Sequence, residues 1–210
     1  KAGRRIHANA ANNFSQHLHP FVASDRAPRI IVSAIEHESI LETARALGRE
    51  GVDVVYVPVD GSGVVDVGKL KEALNERTAV VSVMYVNNEL GSIQPIAEIA
   101  RIIQEFRTQN LELNARNNRN PFILNAKFYP LFHVDAVQAF QFFDCAVDAL
   151  GVDLLTLSAH KIYGPKGIGA LYVKDLEFRN QNLGTTTRKP ILNPKSSILN
   201  PIITGGGQEF

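Results

Sequence analysis

Tryptophan is absent from this 210-residue chain, cysteine and methionine occur once each, and no apolar run approaches membrane-spanning length. One cysteine excludes an internal disulfide framework and fits a reducing compartment. That points to the cytoplasm, or to the mitochondrion in a eukaryotic source. Excess charge is missing too: 22 Lys and Arg stand against 21 Asp and Glu, a formal net charge of +1. Nothing here calls for a polyanionic partner, so nucleic acid and membrane are set aside. The start, Lys1-Ala2-Gly3-Arg4-Arg5, is basic, but no apolar signal core follows and no initiator Met precedes it. Its first residue reads as a processing site or the edge of a fragment. What remains is ordinary for a soluble globular protein: 45% hydrophobic and 20% charged residues, in a length that buries one substantial core.

Strand and helix patterns alternate along the chain. Residues 29–34 form a short apolar run, and 39–49 carry helical spacing through Ile40, Leu41, Ala44 and Leu47. Gly51 stops that helix, and 52–59 are rich in β-branched residues. Asp66 is placed to cap a helix with Leu70, Ala73 and Leu74 on one face. Residues 78–86 are almost wholly apolar, as a buried strand requires, and Pro95 suits the first turn of a helix over 96–106. Further strands are expected at 131–134, 154–157 and 168–173. The rhythm predicts an α/β fold: a mostly parallel sheet flanked by helices on both faces. Two stretches break it. Residues 108–129 are polar and Asn/Arg-rich, and are expected as an inserted surface loop, with little net charge to support RNA contact. Residues 177–200, rich in Asn, Thr and Pro, read as a second loop.

In such sheets ligands bind outside the carboxyl ends of the strands. His37, Asn87, Asp135 and Lys161 each follow an expected strand closely. Lys161 sits in Ser158-Ala159-His160-Lys161-Ile162-Tyr163-Gly164-Pro165-Lys166-Gly167. A lysine partly desolvated at a strand end loses its preference for the ammonium form, and its neutral amine attacks aldehydes. Pyridoxal 5'-phosphate is the aldehyde cofactor that this implies. Ser158 and His160 flank the lysine at a spacing suited to holding a phosphate. An ionised Asp135 is suited to keep a proton on a pyridine nitrogen, and Gln138 and Asn87 to reach a phenolic oxygen. His37 is suited to stack on the ring and to move a proton. Taken singly, each has a plainer reading: Asp135 a helix cap, Asn87 half of a turn pair, His37 a polar residue at a helix start.

Four segments in order, Glu36-His37-Glu38-Ser39, Val86-Asn87-Asn88-Glu89-Leu90-Gly91, His133-Val134-Asp135-Ala136-Val137-Gln138 and the Lys161 run, resemble the cysteine desulfurase and selenocysteine lyase family. These are aminotransferase class V enzymes. The resemblance covers about 29–173 and resumes at Gly205-Gly206-Gly207-Gln208-Glu209. It implies the large domain of the fold type I pyridoxal phosphate transferases over residues 1–210. It also implies a covalent cofactor link at Lys161 and phosphate contacts at Ser158 and His160. Asp135 would pair with the ring nitrogen, Gln138 and Asn87 would contact the phenolic oxygen, and His37 would stack on the ring. The substrate implied is L-cysteine or L-selenocysteine, converted to L-alanine by a homodimer that passes sulfur to an acceptor protein, as in iron–sulfur cluster assembly.

The departures matter equally. Where the family opens on Gly-Ala-Thr-Glu-Ala-Asn-Asn, this chain has His7-Ala8-Asn9-Ala10-Ala11-Asn12-Asn13, without the threonine hydroxyl at the phosphate loop. The small C-terminal domain that carries the family's sulfur-accepting cysteine is not in these 210 residues, so the sequence reads as a truncated member. Cys145 lies in an apolar stretch, is expected to be a small buried hydrophobe, and does not match that nucleophile. Two alternatives stay open: an impaired homologue that binds cofactor or partners only, and another class V enzyme such as an aminotransferase or kynureninase-like hydrolase.

Overall fold

The computed structural model describes residues 27–116 and 130–174. Six strands form one sheet in the order β2-β1-β3-β4-β5-β6. They are β1 (Arg29–Ser33), β2 (Asp53–Val57), β3 (Thr78–Met84), β4 (Leu131–Asp135), β5 (Leu154–Ser158) and β6 (Gly169–Val173). The first five run parallel and β6 is antiparallel to β5. The helices are α1 (Glu38–Arg49), α2 (Val67–Ala73), α3 (Ile96–Arg116) and the single turn α4 (Val147–Leu150). The chain reverses its direction of winding between β1 and β3, which are neighbours in the sheet. Such a switch point opens a crevice at the carboxyl ends of the strands.

The two faces of the sheet differ in chemistry. On one, Ile31, Val81, Val83, Phe132, Val134 and Leu155 are buried under Ile99 and Ile103 of α3 and Leu70 of α2. This face is a continuous apolar core. On the other, Ile30 and Val32 pack with Ala44 of α1 and Val52. The register then carries that face from Val32 to Ser82, His133 and Asp135, with Asp135 beside Thr156. Successive residues of a strand point to opposite faces, so these polar side chains share one side of the sheet near its carboxyl end.

α1 and α2 begin where expected. Asp66 caps α2 by accepting the Lys69 N–H at 2.9 Å. The helix expected at 96–106 continues to Arg116, so the loop expected at 108–129 is corrected over its first part. Polarity there marks the solvent side of a helix built from good helix formers, Gln109, Leu111, Glu112 and Leu113 among them. Residues 117–129 and 177–200 lie outside the described residues, as do the segments 7–13 and 205–209.

At the amino ends of the strands, charge does the tying. Arg107, near the middle of α3, forms a buried ion pair with Asp153 and donates to the Pro130 carbonyl from Nε at 3.2 Å. Asp153 also accepts the Phe132 N–H at 2.8 Å, so one carboxylate joins α3, β4 and the start of β5.

Candidate active site

The four strand ends that carry candidate residues are consecutive in the sheet: β1, β3, β4, β5. His37 follows β1 and caps α1, its Nδ1 accepting the Ser39 N–H at 3.2 Å. That bond places the proton of the neutral ring on Nε2. Asn87 follows β3 and is buried. Its Nδ2 donates to the Ile35 carbonyl at 2.8 Å, and its Oδ1 accepts the Glu89 and Leu90 N–H groups at 2.9 and 2.8 Å. Asn87 therefore ties the loop before His37 to the loop after β3. The plainer reading of His37 as a helix-start residue and of Asn87 as a turn residue is real in both cases. It leaves His37 Nε2 for a ligand, while the second Asn87 N–H is directed at Met84 Sδ at 3.4 Å.

Asp135 ends β4 and is buried. Its Oδ1 accepts the Val137 N–H at 2.9 Å, and among the described residues no side chain or amide donates to Oδ2. Burial pushes its carboxyl up, while the Val137 N–H and the charge of His37 pull the other way. Gln138 is half-buried, in overlapping turns that follow β4; Ala139 and Phe140 N–H both bond the Ala136 carbonyl at 3.0 Å.

Ser158 ends β5, and Lys161 and His160 sit in the 3₁₀ turn Ala159–Ile162. Ser158 Oγ and His160 Nδ1 lie 2.7 Å apart. Either way the shared proton points, one outward donor remains: His160 Nε2–H or the Ser158 hydroxyl. The expected desolvation of Lys161 is not found. It is exposed, because the turn that carries it contains no buried residue.

The turn itself is tightly built. Tyr163 adopts φ 62°, a left-handed conformation uncommon for a side chain of its size, and Gly164 N–H bonds the Ala159 carbonyl at 2.8 Å. A Cβ at Gly164 would meet Ala159 Cβ at 2.9 Å and its carbonyl oxygen at 3.0 Å. Gly164→Ala must therefore open the turn under Lys161, with an expected loss of about 1–3 kcal/mol. Gly61→Ala, where a Cβ meets nothing within 4 Å, should cost far less. Urea unfolding of the two variants checks the contrast, and equal midpoints would refute it.

Cys145 is half-buried against the apolar core, and burial pushes its thiol up. It packs against the core as expected, but it is only half-buried where full burial was expected. Sequence reasoning missed Glu36, Ser82, His133 and Thr156. Burial pushes the Glu36 carboxyl up to about 7 and the His133 imidazole down to about 4. The available signal was a row of polar residues at alternating positions in otherwise apolar strands. No helix among the described residues is long and apolar enough to cross a membrane, and no group of His, Cys, Asp and Glu among them is arranged to hold a metal ion.

The family described as aminotransferase class-V matches residues 8–110 and 123–197. The chain belongs to this family. Its relatives include cysteine desulfurase IscS of Dictyoglomus turgidum, 36% identical over 199 residues, which cover 95% of this chain and 40% of that protein. The mitochondrial cysteine desulfurase of Saccharomyces cerevisiae is 40% identical over 180 residues, 86% of this chain and 28% of its own. Among solved structures, SspA in complex with cysteine matches with TM-score 0.59 and 33% identity, over 80% of this chain and 41% of that one. A NifS-like protein matches with TM-score 0.57 and 34% identity over 79% and 41%. The chain thus spans about 40% of the length of the first relatives it matches. Class-V members of this kind are pyridoxal phosphate enzymes, and the expected fold and family are both met.

Proposed function

We propose that this chain builds the cofactor-binding part of a pyridoxal phosphate-dependent cysteine desulfurase, acting on L-cysteine or L-selenocysteine and leaving L-alanine. The observation that supports it is that His37, Asp135 and the Lys161 turn follow the carboxyl ends of β1, β4 and β5 in one sheet, in a chain similar to cysteine desulfurases.

The donor set fits the cofactor. Asp135 is a buried carboxylate with one oxygen free of protein donors, and a protonated ring nitrogen supplies the opposite charge it lacks. Ser158 and His160 present an outward donor beside Lys161, as a phosphate requires. When bound, pyridoxal phosphate supplies an aldehyde for the substrate amine and a ring that accepts negative charge from the substrate α-carbon. Asp135 keeps the ring nitrogen protonated, which strengthens that acceptance. His37, with Nδ1 occupied by the Ser39 N–H, offers a proton at Nε2, so it serves as donor and leaves proton removal to the Lys161 amine. Gln138 is assigned to the phenolic oxygen, and Asn87 joins it by exchanging its weak contact with Met84 Sδ. Homodimerisation and a sulfur-accepting protein partner belong to the same proposal.

Its test is spectroscopic. Purified chain mixed with pyridoxal phosphate is expected to show a visible band that survives desalting and is missing from Lys161→Ala. Alanine formation from added cysteine then checks the reaction. Identical spectra for parent and variant would overturn the cofactor assignment.

A further inference from the structure

Glu36 immediately precedes His37 and is 5% exposed. Its Oε1 accepts the Ser33 hydroxyl of β1 at 2.5 Å and the Met84 N–H of β3 at 2.6 Å. Its Oε2 lies in a long contact, 3.5 Å, with Ser82 Oγ. Ser82 Oγ is 2.8 Å from His133 Nδ1, and His133 Nε2 is 3.3 Å from Thr156 Oγ1. A buried polar chain therefore crosses four adjacent strands directly beneath the candidate residues. It touches both sides of the crevice: Glu36 is joined by a peptide bond to His37, and His133 is two residues before Asp135 on one face of β4.

We propose that Glu36 is a positioning residue for the active site: its carboxyl latches the loop bearing His37 to β3 and extends that latch, through Ser82 and His133, to the strand presenting Asp135. The inference rests on the reading that His37 and Asp135 serve one cofactor site.

The titratable groups around the carboxyl are Asp135 and His133 from β4 and His37 from its own loop, and no described Lys or Arg forms an ion pair with it. Burial foremost favours its protonated form and Asp135 adds to this, outweighing the Ser33, Met84 and Ser82 hydrogen bonds, which favour the carboxylate. With two donors on Oε1, a proton on Oε2 faces Ser82 Oγ, the Ser82 hydroxyl turns to His133 Nδ1, and His133 Nε2–H points to Thr156. Each member of the chain is then satisfied without charge. Neutrality at Glu36 also keeps the one negative charge of the crevice on Asp135, where the ring nitrogen needs it. Glutamine at this position reproduces the neutral donor and acceptor pattern, whereas leucine and aspartate do not. Aspartate is one methylene too short to reach the Met84 N–H while remaining in the loop.

The experiment compares the full chain with Glu36→Gln, Glu36→Leu and Glu36→Asp. In cofactor-free protein, NMR reads the tautomer and titration of His37. The lysine-dependent absorption band then reads pyridoxal phosphate affinity. Glu36→Gln is expected to keep the His37 signals and to bind within about threefold of the parent, less than the weight of one typical hydrogen bond. Glu36→Leu is expected to shift the His37 signals and to weaken binding by about tenfold or more. If the leucine variant does not fold, Glu36→Asp carries the same expectation. Parent-like His37 signals in leucine or aspartate variants would overturn the proposal, as would a glutamine variant as impaired as leucine. Absence of any lysine-dependent band in the parent refutes the cofactor reading instead, and the His37 comparison still decides the role of Glu36.

Discussion

Arg107→Met is expected to destabilise the folded chain by about 3–5 kcal/mol, the range for removing one partner of a buried ion pair. Arg107 and Asp153 are 8% and 3% exposed, so neither charge is shared with bulk water. Loss of the guanidinium strands the Asp153 carboxylate with one neutral donor, the Phe132 N–H, and leaves the Pro130 carbonyl without its charged donor. Arg107→Lys keeps a cation but not the planar fork that serves two acceptors, and should fall between parent and methionine. Adding Asp153→Asn to Arg107→Met removes the stranded charge while keeping an acceptor for Phe132. The double variant is therefore expected to be more stable than Arg107→Met alone. Urea unfolding of the three variants and of Asp153→Asn gives the cycle, and additive losses would show that the pair does not couple. Because Asp153 lies at the amino end of β5 and Lys161 beyond its carboxyl end, folded Arg107→Lys should still hold the candidate site.

The contrast between the two ends of the sheet explains what the sequence made legible. Buried parallel strands write themselves as apolar runs, so β1, β3, β4 and β5 were visible, and with them the strand ends where His37, Asn87, Asp135 and Lys161 lie. The direction of β6 was not visible, because an apolar run reads the same forwards and backwards; only its pairing with β5 settles that it is antiparallel. α3 was cut short at 106 because its remaining turns are polar, yet Ile99, Ile103 and Arg107 recur every four residues. That spacing puts Arg107 on the inward face and marks a buried charge in need of a partner. The partner, Asp153, is 46 residues away, a distance no local pattern spans. Glu36 was missed for the opposite reason. It stands in a motif whose neighbouring histidine draws the chemical argument, and, Ser33 apart, its contacts come from Ser82 and Met84 on β3, far away in sequence.

Glu36 and His133 also predict how stability responds to pH, with opposite signs. Glu36 has a carboxyl raised from 4.5 to about 7 in the fold, so its protonated form is favoured there. Its contribution is complete below pH 4.5 and is lost as pH rises through 7, because the unfolded chain ionises first. His133 is lowered from 6.5 to about 4 by burial; its contribution is complete above pH 6.5 and is lost as pH falls through 4. A displacement of this size is worth about 3 kcal/mol in each case. Between pH 4.5 and 6.5 the two slopes oppose one another and hide each other in the parent. Glu36→Gln removes one of them. Relative to the parent, its stability is expected to rise from pH 4.5 to 7 and then level off, about 2–3 kcal/mol more stable at pH 8. His133→Gln should diverge the other way, gaining on the parent as pH falls from 6.5 to 4. Asp135, also raised by burial, titrates in all three proteins and largely cancels from the differences. Thermal or urea unfolding across this range reads both curves. Parallel curves for parent and Glu36→Gln would mean that the carboxyl is ionised in the fold, and that the crevice holds two negative charges where the cofactor needs one.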